Sequence, residues 1–260
     1  MRSPLLKKSL GQHHLTDPAL CRPLVEFLRP ENSRVLEIGP GGGVLTGALL
    51  SAGARVLAWE LDPAWAATLH QRLPAPRLTV IVGDALEIPW PRLRAPTLAA
   101  GNLPYNVATA LLERLFPHHE RVPRAAFLVQ KEVADRLAAR PGDPAYGSLS
   151  VLAAAYAEVR LLGRVRRGSF RPPPKVEGAF VGFTLHPPPV PPQEMPAFLS
   201  LVRLAFNQRR KTLRNALAAG WGREKAEAVL AAVGIGEKVR AEELGLEDFL
   251  KIASKERVTL

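Results

Sequence analysis

The sequence predicts an α/β fold, with a doubly wound and mostly parallel sheet, an antiparallel sheet edge and a small α-helical domain at the C-terminus. Short β-rich runs alternate with helical patterns through the first two-thirds of the chain, as in sheets whose strands are joined by helices. A proline-dense stretch, HPPPVPP at 186–192, interrupts this order, and only helical patterns follow it. We therefore expect two domains, residues 1–187 and 188–260.

The predicted elements follow in a regular order. Asp17-Pro18 has the pattern of a helix start, a capping side chain followed by proline in the first turn. The β-rich runs expected to form parallel strands are RVLEIG (34–39), RVLAWEL (55–61), LTVIVGD (78–84), TLAAGN (97–102) and AAFLVQ (125–130). Two later runs have no long helical pattern between them and predict the antiparallel edge pair, EVRLLGRV (158–165) and GAFVGFTL (178–185). The predicted C-terminal helices are PAFLSLVRLAF (196–206), RRKTLRNALAA (209–219), REKAEAVLAAVG (223–234) and LEDFLKIAS (246–254).

Composition restricts the class of protein. Of the 260 residues, 47% are apolar, which suffices for a core, and no apolar run reaches the length of a membrane span, about 18 residues. The N-terminus lacks the apolar core of a signal peptide. A single cysteine, Cys21, excludes an intramolecular disulfide and a Cys-rich metal site. We therefore expect a cytoplasmic protein.

The charge predicts a polyanionic partner. A net charge of +11 favours nucleic acid, the commonest such partner of a soluble basic protein. Residues 160–175 hold six basic side chains and residues 201–217 hold five, and neither stretch contains an acidic one. A generally basic, solvated surface is the alternative, but two concentrated patches are harder to explain in that way.

The stretch LEIGPGGGVLT (36–46) joins the first predicted strand to a helix. Its glycines, including Gly39 and Gly41, allow the backbone to come close to a ligand. Glu60 ends the next strand, where a carboxylate can accept hydrogen bonds from both hydroxyls of a ribose. Val44 stands where a dinucleotide fingerprint needs its third glycine, and the Gly-Lys-Ser/Thr of a phosphate-binding loop is absent. The pattern favours a nucleoside without a pyrophosphate, such as S-adenosyl-L-methionine.

The stretch VGDAL (82–86) ends the third predicted strand. We expect Asp84 to accept a hydrogen bond from the exocyclic amine of an adenine, and the backbone N–H of Ala85 to meet a ring nitrogen. Gly-Asp by itself is also an ordinary turn. With Gly39 and Glu60, however, it falls at the carboxyl ends of parallel strands, where open α/β sheets bind their ligands.

The stretch GNLPYN (101–106) falls at the end of the fourth predicted strand, on the same edge of the sheet. Turn chemistry alone explains an asparagine and a proline. The combination also suits methyl transfer to an aromatic amine, because Asn102 and a turn carbonyl can accept its N–H groups and aim the nitrogen lone pair. Pro104 restricts the turn and Tyr105 can stack on the base, which positions it for attack. Because the base must leave its stack, we expect a flipped or single-stranded nucleotide.

These stretches together resemble the adenine-N6 methyltransferases that act on ribosomal RNA, through EIGPGGGVLT, WELD, GDAL and NLPYN. Three further stretches resemble more narrowly the small-subunit rRNA adenine dimethyltransferases: KKSLGQHHL (7–15), SFRPPPKVEGAFV (169–181) and AFNQRRKTLRNAL (205–217). The similarity runs from Lys7 to at least Leu217. It implies a Rossmann-like methyltransferase sheet followed by a basic helical domain.

The resemblance implies an enzyme that methylates N6 of two adjacent adenosines in the 3′-terminal hairpin loop of small-subunit rRNA and takes part in small-subunit biogenesis. The implied cofactor is S-adenosyl-L-methionine, which leaves as S-adenosyl-L-homocysteine. The implied partner is the small ribosomal subunit, with no membrane and no metal, and we expect a monomer. The implied catalytic residues are Asn102, Leu103, Pro104, Tyr105 and Phe170, the last stacking on the base opposite Tyr105. The implied cofactor-binding residues are Gln12, His13, Leu15, Gly39, Gly41, Glu60, Leu61, Asp84, Ala85 and Asn102.

The sequence departs from the family pattern at His13-His14, where the family usually has Asn-Phe. An imidazole at His13 could still donate to the cofactor carboxylate, with an affinity that depends on pH. At His14 an apolar ring is lost. Adjacent histidines without a nearby cysteine or carboxylate cluster are poorly spaced for a metal, so no metal site is expected.

The basic stretch near the C-terminus is expected to contact RNA phosphates through Arg209, Arg210, Lys211 and Arg214, with a solvated helix face as the alternative. Two other functions stay open, the related large-subunit dimethyltransferase and a non-catalytic RNA-binding assembly or transcription factor on the same fold. The RRKTLRN stretch favours the small-subunit branch, and the intact ligand-binding motifs favour catalysis.

Overall fold

The structure, a computed structural model, describes residues 4, 12–73, 76–104, 107–208 and 210–258. By its contacts the chain divides into two compact units. The first unit comprises the described residues up to Ala134 together with Ala157–Pro187. The second comprises Asp135–Tyr156 together with the described residues from Pro188 onward.

The segment Asp135–Tyr156 groups with the C-terminal residues, although the predicted division into 1–187 and 188–260 assigned it to the first domain. Within the second unit, the Tyr146 hydroxyl donates a hydrogen bond to the carbonyl of Leu244 (2.8 Å). This bond joins residues that are 98 positions apart, which no local pattern reveals. The division into the domains 1–187 and 188–260 stays a prediction.

The first unit contains the strands and the helices that join them. Its strands are β1 (His14–Leu15), β2 (Arg34–Ile38), β3 (Arg55–Glu60), β4 (Leu78–Val82), β5 (Leu98–Asn102), β6 (Arg124–Gln130), β7 (Ala157–Val165), β8 (Phe170–Arg171) and β9 (Gly178–Leu185). Its helices are α1 (Arg22–Leu28), α2 (Val44–Ser51), α3 (Pro63–Arg72) and α4 (Ala108–Leu115), and α5 (Lys131–Ala138) leads into the second unit.

Seven strands of the described chain form one sheet in the order β4-β3-β2-β5-β6-β9-β7. The strands from β4 to β6 in this order run parallel, β9 pairs antiparallel with β6, and β7 pairs antiparallel with β9. The predicted mostly parallel sheet with an antiparallel edge is therefore confirmed. Helix α1 packs against β6 and β9 and α3 packs against β3 and β4, which explains why the central strands are apolar along most of their length.

The carboxyl ends of the parallel strands lie side by side. Ile38 at the end of β2 is paired with Trp59 on β3 and with Gly101 on β5. From β2 the chain continues to β3 and β4 on one side, and from β5 it continues to β6 on the other. The junction between β2 and β5 is therefore a topological switch point, where open α/β sheets bind their ligands.

Two glycines are required at this junction. A Cβ atom at Gly101 would lie 2.4 Å from the carbonyl oxygen of Ile38, so a side chain does not fit there. Gly39, directly after β2, has a φ of +66°, in the left-handed region that favours glycine. At the switch point the chain therefore presents backbone atoms, without side chains, at these two positions.

The second unit is helical. Its helices after α5 are α6 (Ser148–Tyr156), α7 (Met195–Phe206), α8 (Leu213–Trp221), α9 (Arg223–Ala232) and α10 (Leu246–Val258). Helix α8 begins later than its predicted start at residue 209, because the Thr212 hydroxyl caps it by accepting a hydrogen bond from the backbone N–H of Asn215 (3.4 Å). Arg210 and Lys211 therefore lie in the turn before α8 and not on a helix face. No helix in the described part of the chain is long and apolar enough to cross a membrane.

Candidate active site

A cavity of about 280 Å³ lies at the carboxyl edge of the sheet, at the switch point between β2 and β5. Its volume is near the lower end of the range for small-molecule sites, about 300–1,000 Å³. The predicted site residues that line it are Gln12, His13, Gly39, Gly41, Glu60, Leu61, Asp84, Ala85, Asn102, Leu103 and Pro104. Leu15 lines a small adjoining cavity together with Glu37 and Asn102. Tyr105 and Arg209 lie outside the described residues.

Glu60 is held by backbone donors on both sides. Its Oε2 accepts a hydrogen bond from the N–H of Gly41 (3.0 Å), and its Oε1 accepts one from the N–H of Asp62 (2.9 Å). The side chain is only 5% exposed, and burial raises the pKa of Glu60, while the two hydrogen bonds act against that rise. A carboxylate has about four lone-pair sites. Acceptor positions therefore remain on this carboxylate.

Asp84 follows β4 and caps the short 3₁₀ helix Ala85–Glu87. Its Oδ1 accepts a hydrogen bond from the N–H of Leu86 (2.8 Å), which fixes the carboxylate at the cavity. The second carboxylate oxygen remains available as an acceptor. Ala85, the first residue of that short helix, also lines the cavity.

Trp59 is a cavity residue that the sequence reasoning missed. It lines the cavity, and its indole N–H donates a hydrogen bond to the carbonyl of Asp84 (3.1 Å). A Cβ atom at Gly83 would lie 2.8 Å from Nε1 of Trp59, so the indole packs directly on the backbone that carries Asp84. The available signal was its place directly before Glu60 in the WELD stretch.

The residues Gln12–Leu15, which we call the strap, run from Asp62 at the start of α3 to the Asn102 turn. Gln12 Nε2 donates a hydrogen bond to Asp62 Oδ2 (3.4 Å). The carbonyl oxygen of His13 accepts a hydrogen bond from Asn102 Nδ2 (2.6 Å). The end of the strap is β1, which pairs antiparallel with β8.

His14 packs on the glycine turn. A Cβ atom at Gly41 would lie 2.5 Å from its Nε2, and one at Gly42 would lie 3.3 Å from its Nδ1. Its ring also meets Trp65 edge to face, with centroids 4.4 Å apart. Burial, with smaller contributions from the charges of His13 and Arg72, lowers the pKa of His14 to about 4. At pH 7 the imidazole of His14 is therefore uncharged. A neutral aromatic ring thus stands where the family pattern has the apolar ring of phenylalanine.

Phe170 does not lie in the cavity wall. It is only 3% exposed and belongs to a buried cluster with Leu15, Val165 and Phe180. In β8 it is paired with Leu15 of the strap. This geometry does not support the predicted stacking of Phe170 on a base, because the ring is enclosed by its neighbours. Its contacts anchor the strap instead.

Two buried titratable groups lie close to the glycine turn. Glu37 on β2 is 1% exposed, and burial raises its pKa to about 8. Burial, with Glu37 and Asp17 nearby, also raises the pKa of the Cys21 thiol to about 12. The thiol is therefore protonated, which argues against a cysteine nucleophile. Among the described residues, no group of three or more His, Cys, Asp or Glu side chains is arranged to hold a metal ion.

The two basic stretches differ in how far their charges are neutralised. Arg214 is partly buried and pairs with Glu227 (3.4 Å) and Glu237 (3.3 Å), whereas Arg210 and Lys211 are exposed. In the first unit, five exposed cations that no described carboxylate pairs with surround β8: Arg164, Arg166, Arg167, Arg171 and Lys175. The sequence-predicted RNA contact at Arg214 is thus already engaged within the second unit.

Comparison with proteins of known identity places this site in a family. A sequence model described as ribosomal RNA adenine dimethylase matches residues 4–256. A ribosomal RNA small subunit methyltransferase A from Acidothermus cellulolyticus is 40% identical over 256 residues, which cover 95% of this chain and 88% of the relative. The protein of the same name from Syntrophotalea carbinolica is 40% identical over 253 residues, covering 95% of both chains.

Solved structures agree with the sequence relatives. A dimethyladenosine transferase from Plasmodium falciparum superposes with a TM-score of 0.80 at 25% identity, covering 92% of this chain and 96% of the other. The 23S rRNA methyltransferase ErmE superposes with a TM-score of 0.70 at 26% identity, covering 94% of this chain and 99% of the other. Since the family model and the relatives match nearly the whole chain, including every strand end that forms the cavity, the chain belongs to the ribosomal RNA adenine dimethylase family.

Proposed function

We propose that the protein methylates N6 of two adjacent adenosines in the 3′-terminal hairpin loop of small-subunit rRNA, giving N6,N6-dimethyladenosines during small-subunit biogenesis. Ribosomal RNA adenine dimethylation with S-adenosyl-L-methionine is the activity of its family. The relatives that align over 95% of the chain carry the name small subunit methyltransferase A, which supports the small subunit over the 23S rRNA named for ErmE.

The observation that carries the proposal is one cavity that joins two kinds of residue. Glu60 and Asp84 offer buried or capped carboxylates to a nucleoside, and the Asn102–Pro104 turn enters the same cavity from β5. The acceptors, the side-chain-free backbone at Gly39 and the cavity volume fit an adenosine-containing cofactor. A nucleoside-binding factor without catalysis would not need an amide acceptor beside that nucleoside.

The chain's own residues account for binding and aim. Bound S-adenosyl-L-methionine supplies a methyl group on a sulfonium sulfur, whose C–S bond breaks as the new C–N bond forms. Glu60 would hold the ribose hydroxyls and Asp84 the adenine amine. Asn102 would accept an N–H of the target amine, so that the nitrogen lone pair is directed at the methyl group. Positioning of this kind can lower a barrier by several kcal/mol, about 7–11 at best.

RNA contacts are proposed on both basic surfaces. Arg209, Arg210 and Lys211 are proposed to meet phosphates, whereas Arg214 is proposed to join α8 to α9 and to the segment after α9 through its ion pairs. Removing two phosphate contacts by Arg210→Ala with Lys211→Ala should reduce the slope of log affinity against log salt by about 1.4–1.8. The double variant Arg92→Ala with Arg94→Ala removes the same charge from exposed positions outside both stretches. Equal slopes for the two double variants would contradict the assignment.

The function is tested by incubating the full-length protein with labelled S-adenosyl-L-methionine and either undermethylated small subunits or large subunits. We expect label in the small subunit, and mass mapping should find two adjacent dimethylated adenosines near the 3′ end. Label confined to the large subunit would instead assign the large-subunit activity. No transfer to either, with RNA binding intact, would indicate a non-catalytic assembly factor.

We further propose that the protein acts as a monomer, without a metal and in the cytoplasm. Basic surfaces and rRNA chemistry support a place on the assembling subunit. Light scattering of the active protein should give the mass of one chain, and activity should survive a chelator. A stable dimer, or loss of activity on chelation that zinc or magnesium restores, would contradict the proposal.

A further inference from the structure

We infer that the backbone carbonyl of His13 fixes the amide of Asn102 so that its Oδ1 alone is offered to the target amine, and that the strap is therefore a positioning element for methyl transfer. The inference rests on the proposed function, because it concerns the group that receives the target adenine. It goes beyond that function by assigning a role to a main-chain atom, the carbonyl oxygen of His13, which is 89 positions away from Asn102 in the sequence.

The orientation of Asn102 follows from the chemistry of its neighbour. A carbonyl oxygen only accepts hydrogen bonds, and the carbonyl of His13 lies 2.6 Å from Asn102 Nδ2. With the amide reversed, two oxygen atoms would face each other at that distance. Oδ1 must therefore occupy the other branch of the amide, and no described residue donates a hydrogen bond to it. Asn102 lines the cavity, so the unused acceptor belongs to the site.

The strap can set this orientation because it is fixed from several directions. Next to the carbonyl, the ring of His13 places Nδ1 at 2.8 Å from the carbonyl of Pro172, which requires Nδ1 to carry the proton. The following residue, His14, packs on Gly41 and Gly42. The N–H and hydroxyl of Thr16 both donate to the carbonyl of Ser169 (3.1 Å each). A shift of the strap would therefore require several contacts to break together.

Replacement of Asn102 by aspartate separates two roles. If residue 102 only accepted an N–H from the target, a carboxylate would serve at least as well as an amide. If it must also donate to His13, an ionised aspartate cannot do so, and its charge meets a carbonyl oxygen. A protonated aspartic acid restores both roles, because its O–H can donate to His13 while its C=O accepts from the amine.

The test is the ratio of single-turnover rates, Asn102→Asp over wild type, measured from about pH 5 to about pH 9. We expect a loss of about 100-fold at the alkaline end, as for loss of a preorganised hydrogen-bonding group, and no better activity there than in Asn102→Ala. The ratio for Asn102→Asp should stay at this level until pH falls to within about two units of the ordinary aspartate pKa, about 3.9, and should then climb by up to about tenfold per unit, whereas the ratio for Asn102→Ala should stay flat. Taking ratios removes the titration of the other groups that face this cavity and its small neighbour, namely His13, His14, Glu37, Glu60 and Asp84.

The outcomes separate this inference from the proposed function. Absence of methyl transfer by the wild type would refute the proposed function itself. An active wild type with Asn102→Asp within about threefold of it at alkaline pH, or with a ratio that does not rise on acidification, would overturn the role of the His13 carbonyl. A variant damaged in its fold does not regain activity on acidification, so the rising ratio also controls for misfolding. His14→Ala removes the ring that packs on Gly41 and Gly42 and should lower the single-turnover rate about tenfold; a rate equal to that of the wild type would overturn the role of the strap.

Discussion

The cavity has two sides that are built differently. On the side proposed for the cofactor, which we call the cofactor side, Glu60 and Asp84 each stand at a strand end and are oriented partly by a backbone N–H two residues further along the chain. On the side proposed for the target adenine, which we call the target side, Asn102 donates a hydrogen bond to His13, 89 positions away, and His13 in turn reaches Pro172, which is 159 positions away. The first side is set by local turns at the edge of a sheet, and the second is set by long-range contacts of a strap.

This difference indicates a division of work. Local turns at strand ends give a preformed site, since each carboxylate accepts a backbone N–H from its own turn, and Glu60 accepts a second one from the glycine turn at Gly41. A target side assembled from the strap, β8 and the turn after β5 depends on several segments at once. We therefore expect mutations on the cofactor side to change cofactor affinity, and mutations on the target side to change the rate of transfer.

The largest effect is expected at Glu60. Glu60→Ala removes the proposed acceptor of both ribose hydroxyls and leaves the N–H groups of Gly41 and Asp62 without their partner. The cofactor dissociation constant should rise about 100-fold, or about 2.7 kcal/mol, in calorimetry. Glu60→Gln keeps one acceptor oxygen but turns an NH₂ toward a backbone donor, and should raise the cofactor dissociation constant about tenfold. An affinity within about threefold of wild type for Glu60→Ala would contradict the cofactor side as described.

Smaller effects of opposite sign should appear in the pH dependence of stability. The pKa of Glu37 is about 8 in the folded protein, against an ordinary value of 4.5. Between these two pH values the folded state therefore holds a proton that the unfolded state lacks. The free energy of unfolding should therefore fall as pH rises through that window, and Glu37→Gln should remove the fall.

His14 on the strap gives the opposite slope. Its pKa of about 4 lies below the ordinary 6.5, so the unfolded state holds the extra proton between these values and stability should rise with pH. His14→Phe should remove that rise. Urea unfolding of the two variants and the wild type at a series of pH values checks both slopes, and profiles parallel to wild type would contradict the burial of either group.

The sequence predicted the parts of the site that depend on local order. The strand ends at Gly39, Glu60 and Asp84 could be read because each follows an apolar run, and parallel strands bring such ends together. The enclosure of Phe170 could not be predicted from the sequence, because it depends on pairing with Leu15 far away in the chain. Trp59 was missed for a similar reason, since its hydrogen bond joins β3 to Asp84, which follows the neighbouring strand β4.

The late start of α8 shows a different limit. The pattern RRKTLRN holds four basic residues and no acidic one and suits a helix, but the hydroxyl of Thr212 caps the backbone inside it. Likewise, no local pattern indicates that Arg214 meets Glu227 and Glu237 on other segments. Charge patterns predict which stretches are basic, whereas ion pairing decides which charges are left for RNA.

The most direct test of the division between the two sides is a paired measurement on Glu60→Ala and Tyr105→Ala, the latter residue being assigned to the target side by sequence. For each variant, calorimetry gives the cofactor dissociation constant and a single turnover at saturating cofactor gives the transfer rate. We predict a higher dissociation constant with a rate within about threefold of wild type for Glu60→Ala, and the reverse for Tyr105→Ala, with a rate at least about 30-fold lower. The opposite ranking, or equal effects on both quantities in both variants, would contradict the account.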